Sequence, residues 1–222
     1  MIRRRWLVAA ALLLADLGAC LAVHRWTMRW GATDEEVARA LPGDPLVPAA
    51  ELQVTRAITI KAPPAAVWPW LVQIGNGRAG AYSYDIVEQL LGLDIHSADE
   101  ILPEFQDLSV GDTIPIEDDG SGMEVAILEH EQVLGTLEPD GSFSWTWMLL
   151  PTAEGTRLLS RSRIDARSKP LLARFVWLGP LVPLSWIMER KMLLGLQERA
   201  ERSAHAADED SAQARSTEVA AA

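Results

Sequence analysis

The sequence predicts an α+β domain of antiparallel strands followed by a C-terminal helix. Three observations carry that prediction. Residues 54–75 read as a strand running straight into a short helix. Residues 113–164 hold short strands separated by turn signals, and residues 184–196 repeat apolar side chains at helical spacing. In the first unit Val54, Ile58 and Ile60 fall on one face and Thr55, Thr59 and Lys61 on the other, the pattern of a half-buried strand. Pro63 and Pro64 stop ladder pairing and preset a helix start. Val67, Leu71 and Ile74 follow at helical spacing, and Gly75-Asn76-Gly77 ends the turn. Pro69 removes the bond to Ala65, so a kink or a 3₁₀ first turn is expected.

An edge strand feeding through Ala62-Pro63-Pro64 into a short Trp-rich helix resembles the start of the START-like, or SRPBCC, superfamily. That superfamily includes polyketide cyclase/dehydrase and lipid-transport proteins. The resemblance covers residues 51–202. It implies a helix-grip fold: a curved antiparallel sheet wrapped around a long C-terminal helix, with a ligand cavity between them. Enzymes and carriers both occur on this fold.

The chain has 222 residues, which suits one domain with appendages and a core that needs no disulfide. Its single cysteine, Cys20, rules out an intrachain disulfide and a thiolate-rich metal site. Twenty basic against 31 acidic residues give a net charge of −11, which disfavours a nucleic-acid partner. Nine tryptophans stand against three phenylalanines and two tyrosines, a set suited to cavity walls and membrane interfaces.

Residues 6–23 form an apolar run behind three arginines. At about 1.5 Å per residue the run reaches roughly 27 Å, close to a hydrocarbon core of about 30 Å. Asp16 opposes this by on the order of 3 kcal/mol at mid-membrane. The expectation is a single-pass anchor through residues 6–23, with residues 1–30 as anchor and interfacial collar. Arg25 and Arg29 against three leading arginines favour an inside N-terminus, hence an extracytoplasmic domain on the cell membrane. A cleaved signal, or a lipoprotein signal at Leu17-Gly18-Ala19-Cys20, is the competing reading.

Residues 31–50 read as a linker: Thr33 and Glu36 form a capping box for a short helix, and Pro42, Pro45 and Pro48 stiffen the connection from there to the first strand. A helix over 85–91 and a second capping box, Ser97 with Glu100, are expected next. Strands are then predicted at 113–116, 123–131, 133–138, 142–150 and 156–164. With residues 151–155 as the last loop, Trp145 opposes Arg161 and Trp147 opposes Leu159, which puts both tryptophans on one face with Arg161 and Arg163. Residues 175–188 carry no charge but span only ~21 Å and contain Pro180 and Pro183, so they suit a buried lead-in or an interfacial lip. In the last helix Leu184, Met188, Met192 and Leu196 share a row, with Glu189, Gln197 and Glu201 facing away. Residues 203–222 lack an apolar period and read as a disordered tail.

Groups able to do chemistry are few. Tyr84, Asp85 and His96 are the catalytic candidates: His96 has carboxylates nearby in sequence, whereas Tyr84 and Asp85, before a helix start, are what the resemblance to cyclase-like members of the superfamily implies, whose cavity polar groups orient substrate and shuttle protons. Plain alternatives are a surface histidine, a packing tyrosine and an Asp cap. Gln73, Tyr82, Tyr84, Trp145, Trp147, Arg161, Arg163, Met188 and Met192 are the candidates for lining a ligand site. The tryptophan face either forms a cavity wall bearing an arginine or lies outward under arginine stems. The acidic triplet at 117–119 lacks the spaced ligands of a calcium loop, and neither metal nor cofactor is expected. The leading expectation is a membrane-anchored protein binding a small hydrophobic or lipid-like ligand. Alternatives are a polyketide-cyclase-like enzyme and an interaction module with a collapsed cavity.

Overall fold

The computed structural model describes residues 2–84 and 97–221. Strand β1 (Leu52–Ile60) lies at one edge of a six-stranded antiparallel sheet and runs into helix α3 (Pro64–Val72). β2 (Thr113–Pro115), β3 (Gly122–Glu129), β4 (Val133–Leu137), β5 (Phe143–Thr152) and β6 (Gly155–Ile164) complete it in the order β1-β6-β5-β4-β3-β2. Consecutive hairpins build the run from β2 to β6, and β1 lies beside β6. Helix α1 (Ile2–Met28) and the short α2 (Asp34–Ala38) precede the sheet, and α4 (Leu171–Leu178) and α5 (Leu181–Ala221) follow it. The long helix packs across α3, β1 and the end of α1. This is the helix-grip arrangement.

Pro64 sits in the first turn of α3, and the amide of Ala66 donates back to Pro63 O at 2.9 Å, the tight first turn expected beside Pro69. Val67, Trp68, Trp70, Leu71 and Val72 are buried there. They pack with Ile58 and Ile60 from β1, Leu149 and Leu158 from the sheet, and Met192, Leu193 and Leu196 from α5 to form the main core.

The other face of β1 is also covered. Residues 31–50 lie on the outer side of the sheet, where Leu41 packs with Ala57 and Leu159. The capping box is present: Glu36 N donates to Thr33 Oγ1 at 3.2 Å and Thr33 N to Glu36 Oε2 at 2.8 Å. Glu36 also takes Arg157 Nε at 2.7 Å, and the Arg157 hydrogen bond holds its carboxyl below the usual range. Arg161, 2% exposed, donates to Asp44 at 3.0 Å, to Thr55 Oγ1 at 3.0 Å and to the carbonyls of Arg39, Glu36 and Val37. Arg163 donates to Val47 O at 3.1 Å. The segment expected to act as a connector is therefore stapled to the sheet by arginines.

That placement corrects the predicted last hairpin. Its loop is the two residues Ala153 and Glu154, so Leu150 opposes Arg157, Trp147 opposes Ser160 and Trp145 opposes Ser162. The strands pair through Pro151 and Thr152, neither Ala153 nor Glu154 takes a positive φ, and Gly155 (φ +133°) lies so close to β1 that a Cβ would meet Ile60 O at 2.2 Å. One position of slip moves Arg157, Arg161 and Arg163 to the face opposite the tryptophans.

Three further differences concern helices. No α-helix starts at Ser97; the chain makes a 3₁₀ turn at Pro103–Phe105 instead. The helix predicted over 85–91 lies outside the described residues. α5 starts four residues before Ser185 and runs to Ala221, so residues 203–221 are helical, although the side chains from His205 to Thr217 are exposed. Their Ala, Glu and Gln content favours helix continuation without a packed face. Among the described residues no single helix is long and apolar enough to cross a membrane; α4 with the portion of α5 up to Thr217, bent by 44°, passes that test only as a pair.

Replacing Arg161 by alanine removes its hydrogen bonds to Asp44, to Thr55 and to three backbone carbonyls, leaving Asp44 with Leu41 N and Val37 O with Gln53 Nε2. The expected loss is about 3–5 kcal/mol in denaturant unfolding, with new proteolytic cleavage within residues 31–50. A change under ~1 kcal/mol would show that Arg157, Arg163 and the apolar contacts hold the segment without Arg161.

Candidate functional site

Between the inner face of the β1–β6–β5 edge and the start of α5 lies a cavity of about 490 Å³. Strand parity places its sheet wall. Val54 and Arg56 from β1, Ser162 and Ile164 from β6, and Phe143 and Trp145 from β5 occupy alternate positions that pair across the three strands. Trp177 from α4 and Leu181, Val182, Leu184, Ser185, Met188 and Glu189 from α5 close the other side. Leu184 is 57% exposed and stands at the rim. The volume falls in the range of small-molecule sites, and the wall is mostly apolar.

At its base two charges are buried together. Arg56 is 1% exposed and Glu189 7%, and Arg56 Nη1 donates to Glu189 Oε2. Arg56 Nε donates to Thr27 O at 2.9 Å, and Nη2 reaches Val182 O and Ser185 Oγ, each at 3.3 Å. The other oxygen of Glu189 accepts from Ser160 Oγ at 2.7 Å, and Ser160 in turn accepts from Trp145 Nε1 at 2.8 Å. One network thus joins α1, β1, β5, β6 and α5. Burial pushes the Glu189 carboxyl up; the Arg56 charge and the Ser160 hydroxyl oppose that rise. The guanidinium cannot give up its proton, so Glu189 serves as its counter-ion.

The sequence candidates divide between three places. Trp145 and Met188 line the cavity. Trp147 stacks on Trp145 with centroids 4.5 Å apart but lies behind it, 3% exposed, and Met192 is likewise in the core. Arg161 and Arg163 are on the outer face of the sheet, holding residues 31–50, so the expected arginine of the tryptophan face does not reach the cavity. Arg56 does. Its parity with Val54 and Ile58 on the same strand was a readable signal: a charged residue on a face otherwise apolar. Glu189 was expected to face away from the core and instead lies against the sheet, because α5 is enclosed on more than one side.

Gln73 and Tyr82 form a separate buried knot between α3 and α5. Gln73 Nε2 donates to Tyr82 Oη at 2.9 Å and Glu100 O at 3.1 Å, and Gln73 Oε1 accepts from Leu102 N at 2.9 Å. Tyr82 Oη donates to Trp70 O at 3.0 Å, while Arg199 lies over the ring at 4.7 Å. Burial pushes the Tyr82 hydroxyl up to about 12. Neither residue lines the cavity. Tyr84 is 40% exposed, and Asp85 and His96 lie outside the described residues. In the acidic triplet, Asp118 accepts from Asn76 Nδ2 at 2.6 Å and Asp119 from Ser121 N at 2.9 Å. Among the described residues no three His, Cys, Asp or Glu side chains converge on a point that could hold a metal ion.

Beside the rim, α4 and the first turns of α5 expose an apolar row. Leu171, Leu172 and Phe175 are each at least 70% exposed, and Ile187 joins Leu184 on α5. Trp26 near the end of α1 contacts Trp186 of α5, centroids 4.9 Å apart.

A sheet closed by a long helix over an apolar cavity defines a helix-grip, ligand-cavity class of domain. The chain matches solved structures of AHSA1-like and polyketide-cyclase-like proteins. The AHSA1-like protein from Aeromonas hydrophila is 14% identical over 68% of this chain and 94% of its own, with a TM-score of 0.36. A polyketide-cyclase-like protein from Corynebacterium glutamicum is 16% identical over 70% and 91%, with a TM-score of 0.33. A protein of unknown function from Staphylococcus aureus gives 14%, 68% and 94%, with a TM-score of 0.42. No family model and no curated protein matches the chain.

Two measurements check this site. Arg56→Met strands Glu189 in the interior and should cost about 3–5 kcal/mol, whereas the double change Arg56→Met/Glu189→Leu should recover most of that loss in a double-mutant cycle. Tyr82 stays neutral more readily when folded than the ordinary ~10 of tyrosine. Its contribution is therefore complete below that value and lost as pH climbs through about 12. Ultraviolet titration of the native chain should show one tyrosine ionising only as the protein unfolds; Tyr82→Phe should remove that component.

Proposed function

We propose that this chain is a membrane-anchored protein that binds a small hydrophobic or lipid-like ligand in the cavity between the sheet and α5. The observation carrying this reading is the cavity itself: about 490 Å³, walled by Val54, Phe143, Trp145, Trp177, Leu181 and Met188. A space of that size also argues against an interaction module with a filled interior. The charged pair at its base is internally satisfied, so binding rests on apolar contact.

Anchoring is supported by the apolar run of residues 6–23 and by α1, whose helix includes that run. The leading arginines favour an extracytoplasmic domain on the cell membrane. The exposed row on α4 and α5 supports contact between the cavity rim and the bilayer interface. A second reading, a polyketide-cyclase-like enzyme acting on an aromatic or polyketide substrate, is favoured by one observation. A buried carboxyl, Glu189, stands in the cavity wall. Both its oxygens already hold partners, which makes it a weaker base or acid than an open one.

Native mass spectrometry of the purified full chain should show a co-purifying apolar molecule, lost in Val54→Phe, which fills the cavity from the buried edge strand. A ligand-free spectrum from both proteins would argue for an empty scaffold. Intact mass of the membrane fraction should retain residues 1–23; a product beginning at Cys20 with added acyl chains would replace the anchor by a lipoprotein.

A further inference from the structure

The cavity wall also limits the kind of head a ligand can carry, given the binding reading above. Among the described residues its only charged side chains are Arg56 and Glu189. They neutralise one another, and each polar atom of the pair already has a protein partner: Arg56 donates from Nε, Nη1 and Nη2, and Glu189 accepts at both oxygens. Ser185 donates to Val182 O at 2.9 Å and accepts from Arg56. Lys169, whose Nζ lies 4.8 Å from the Trp177 ring centroid, is not among the lining residues. Ser162 is different. It pairs with Trp145 on one side and Val54 on the other, so its side chain joins theirs in the cavity wall. Its hydroxyl makes no hydrogen bond to any described residue. The cavity therefore offers one open hydroxyl, which can donate or accept, along with the indole N–H of Trp177, which can only donate, and no free charge.

We infer that the cavity takes a neutral amphiphile, an apolar body ending in one uncharged hydrogen-bonding head such as an alcohol or ketone, with Ser162 as the residue that meets the head. A carboxylate or ammonium head would leave water for a wall with no counter-ion to offer it. A long apolar chain alone would leave the Ser162 hydroxyl unpaired.

The test compares three probes of equal chain length, dodecanol, dodecanoate and dodecylammonium, each added to the full-length protein at pH 8. Retained adducts are counted by native mass spectrometry. Dodecanol should be retained at least tenfold over either ion, a preference of about 1.4 kcal/mol. Ser162→Ala should lower dodecanol retention about fivefold. Glu189→Gln leaves the Arg56 charge without its counter-ion and should raise dodecanoate at least tenfold relative to dodecanol. Equal or better retention of an ion by the unaltered protein overturns the neutral-head assignment and leaves cavity binding standing. Retention of none of the three overturns both. Unchanged dodecanol retention in Ser162→Ala overturns the role of that hydroxyl, a test that holds even if Glu189→Gln does not fold.

Discussion

The buried pair of Arg56 and Glu189 is the constraint on which the arrangement of the domain depends. A guanidinium on the inner face of an edge strand cannot shed its charge, and the desolvation it suffers must be met by a carboxylate and by oriented oxygens. Those acceptors come from places far apart in the chain: Thr27 at the end of α1, Val182 and Ser185 from the first turns of α5, and Glu189 further along it, whose other oxygen accepts from Ser160 of β6. Satisfying one side chain therefore sets where the N-terminal helix ends, how α5 is rotated, and which strand lies beside it. The carbonyl of Thr27 belongs to the last turn of α1, where the helix end is electronegative and suits a cation. An apolar pair of the same volume could be as stable, but it would not impose this rotation of α5.

The same pair accounts for the cavity. Side chains that must reach across to one another at the base hold β1 and α5 at a fixed separation. Above that point Val54, Ile164, Leu181 and Val182 are too short to fill the space between them, and a hollow remains. On the opposite side of the sheet the space is filled. There the arginines of β6 extend over the strand surface and bind the backbone of residues 31–50, while Leu41 and Val47 fill the remaining gaps. The two faces differ because one carries side chains that end in a closed network and the other side chains that end on a covering segment.

Much of the fold could be read from residues. Strand β1, the proline-started helix after it, the hairpin series and the terminal helix all follow from local pattern, and the structure has each of them. The site was read less well, for a physical reason. Choosing a five-residue loop over a two-residue turn at Ala153 and Glu154 exchanges the faces of β6, and local sequence carries only a small preference between the two. The longer loop puts Arg161 and Arg163 on the tryptophan face; the observed turn puts them on the other. Arg56 obeys the same parity as Val54, Ile58 and Ile60, but a charged side chain adds nothing to an apolar alternation, so the pattern alone does not mark it. Glu189 could not have been placed from helical periodicity, since its burial arises from contacts with β6 and β1 that are distant in the chain. The helix beyond Ser203 shows a different limit: absence of an apolar stripe indicates that nothing packs on a segment, not that its backbone lacks order.

The end of α1 is built into the domain rather than tied to it. The carbonyl of Trp30 accepts from Ala57 N on the edge strand at 3.1 Å, and Gly31 passes so near that strand that a Cβ would meet Ala57 O at 2.1 Å. Arg157 donates to the Gly31 carbonyl, and Arg190 covers the Trp30 ring. A recombinant fragment begun at residue 32, however convenient for solubility, would strip one acceptor each from Ala57, Arg56 and Arg157 and a ring from Arg190 in a single cut. Its behaviour would report on a damaged wall. Whatever tilt the first helix adopts, the cavity must tilt with it.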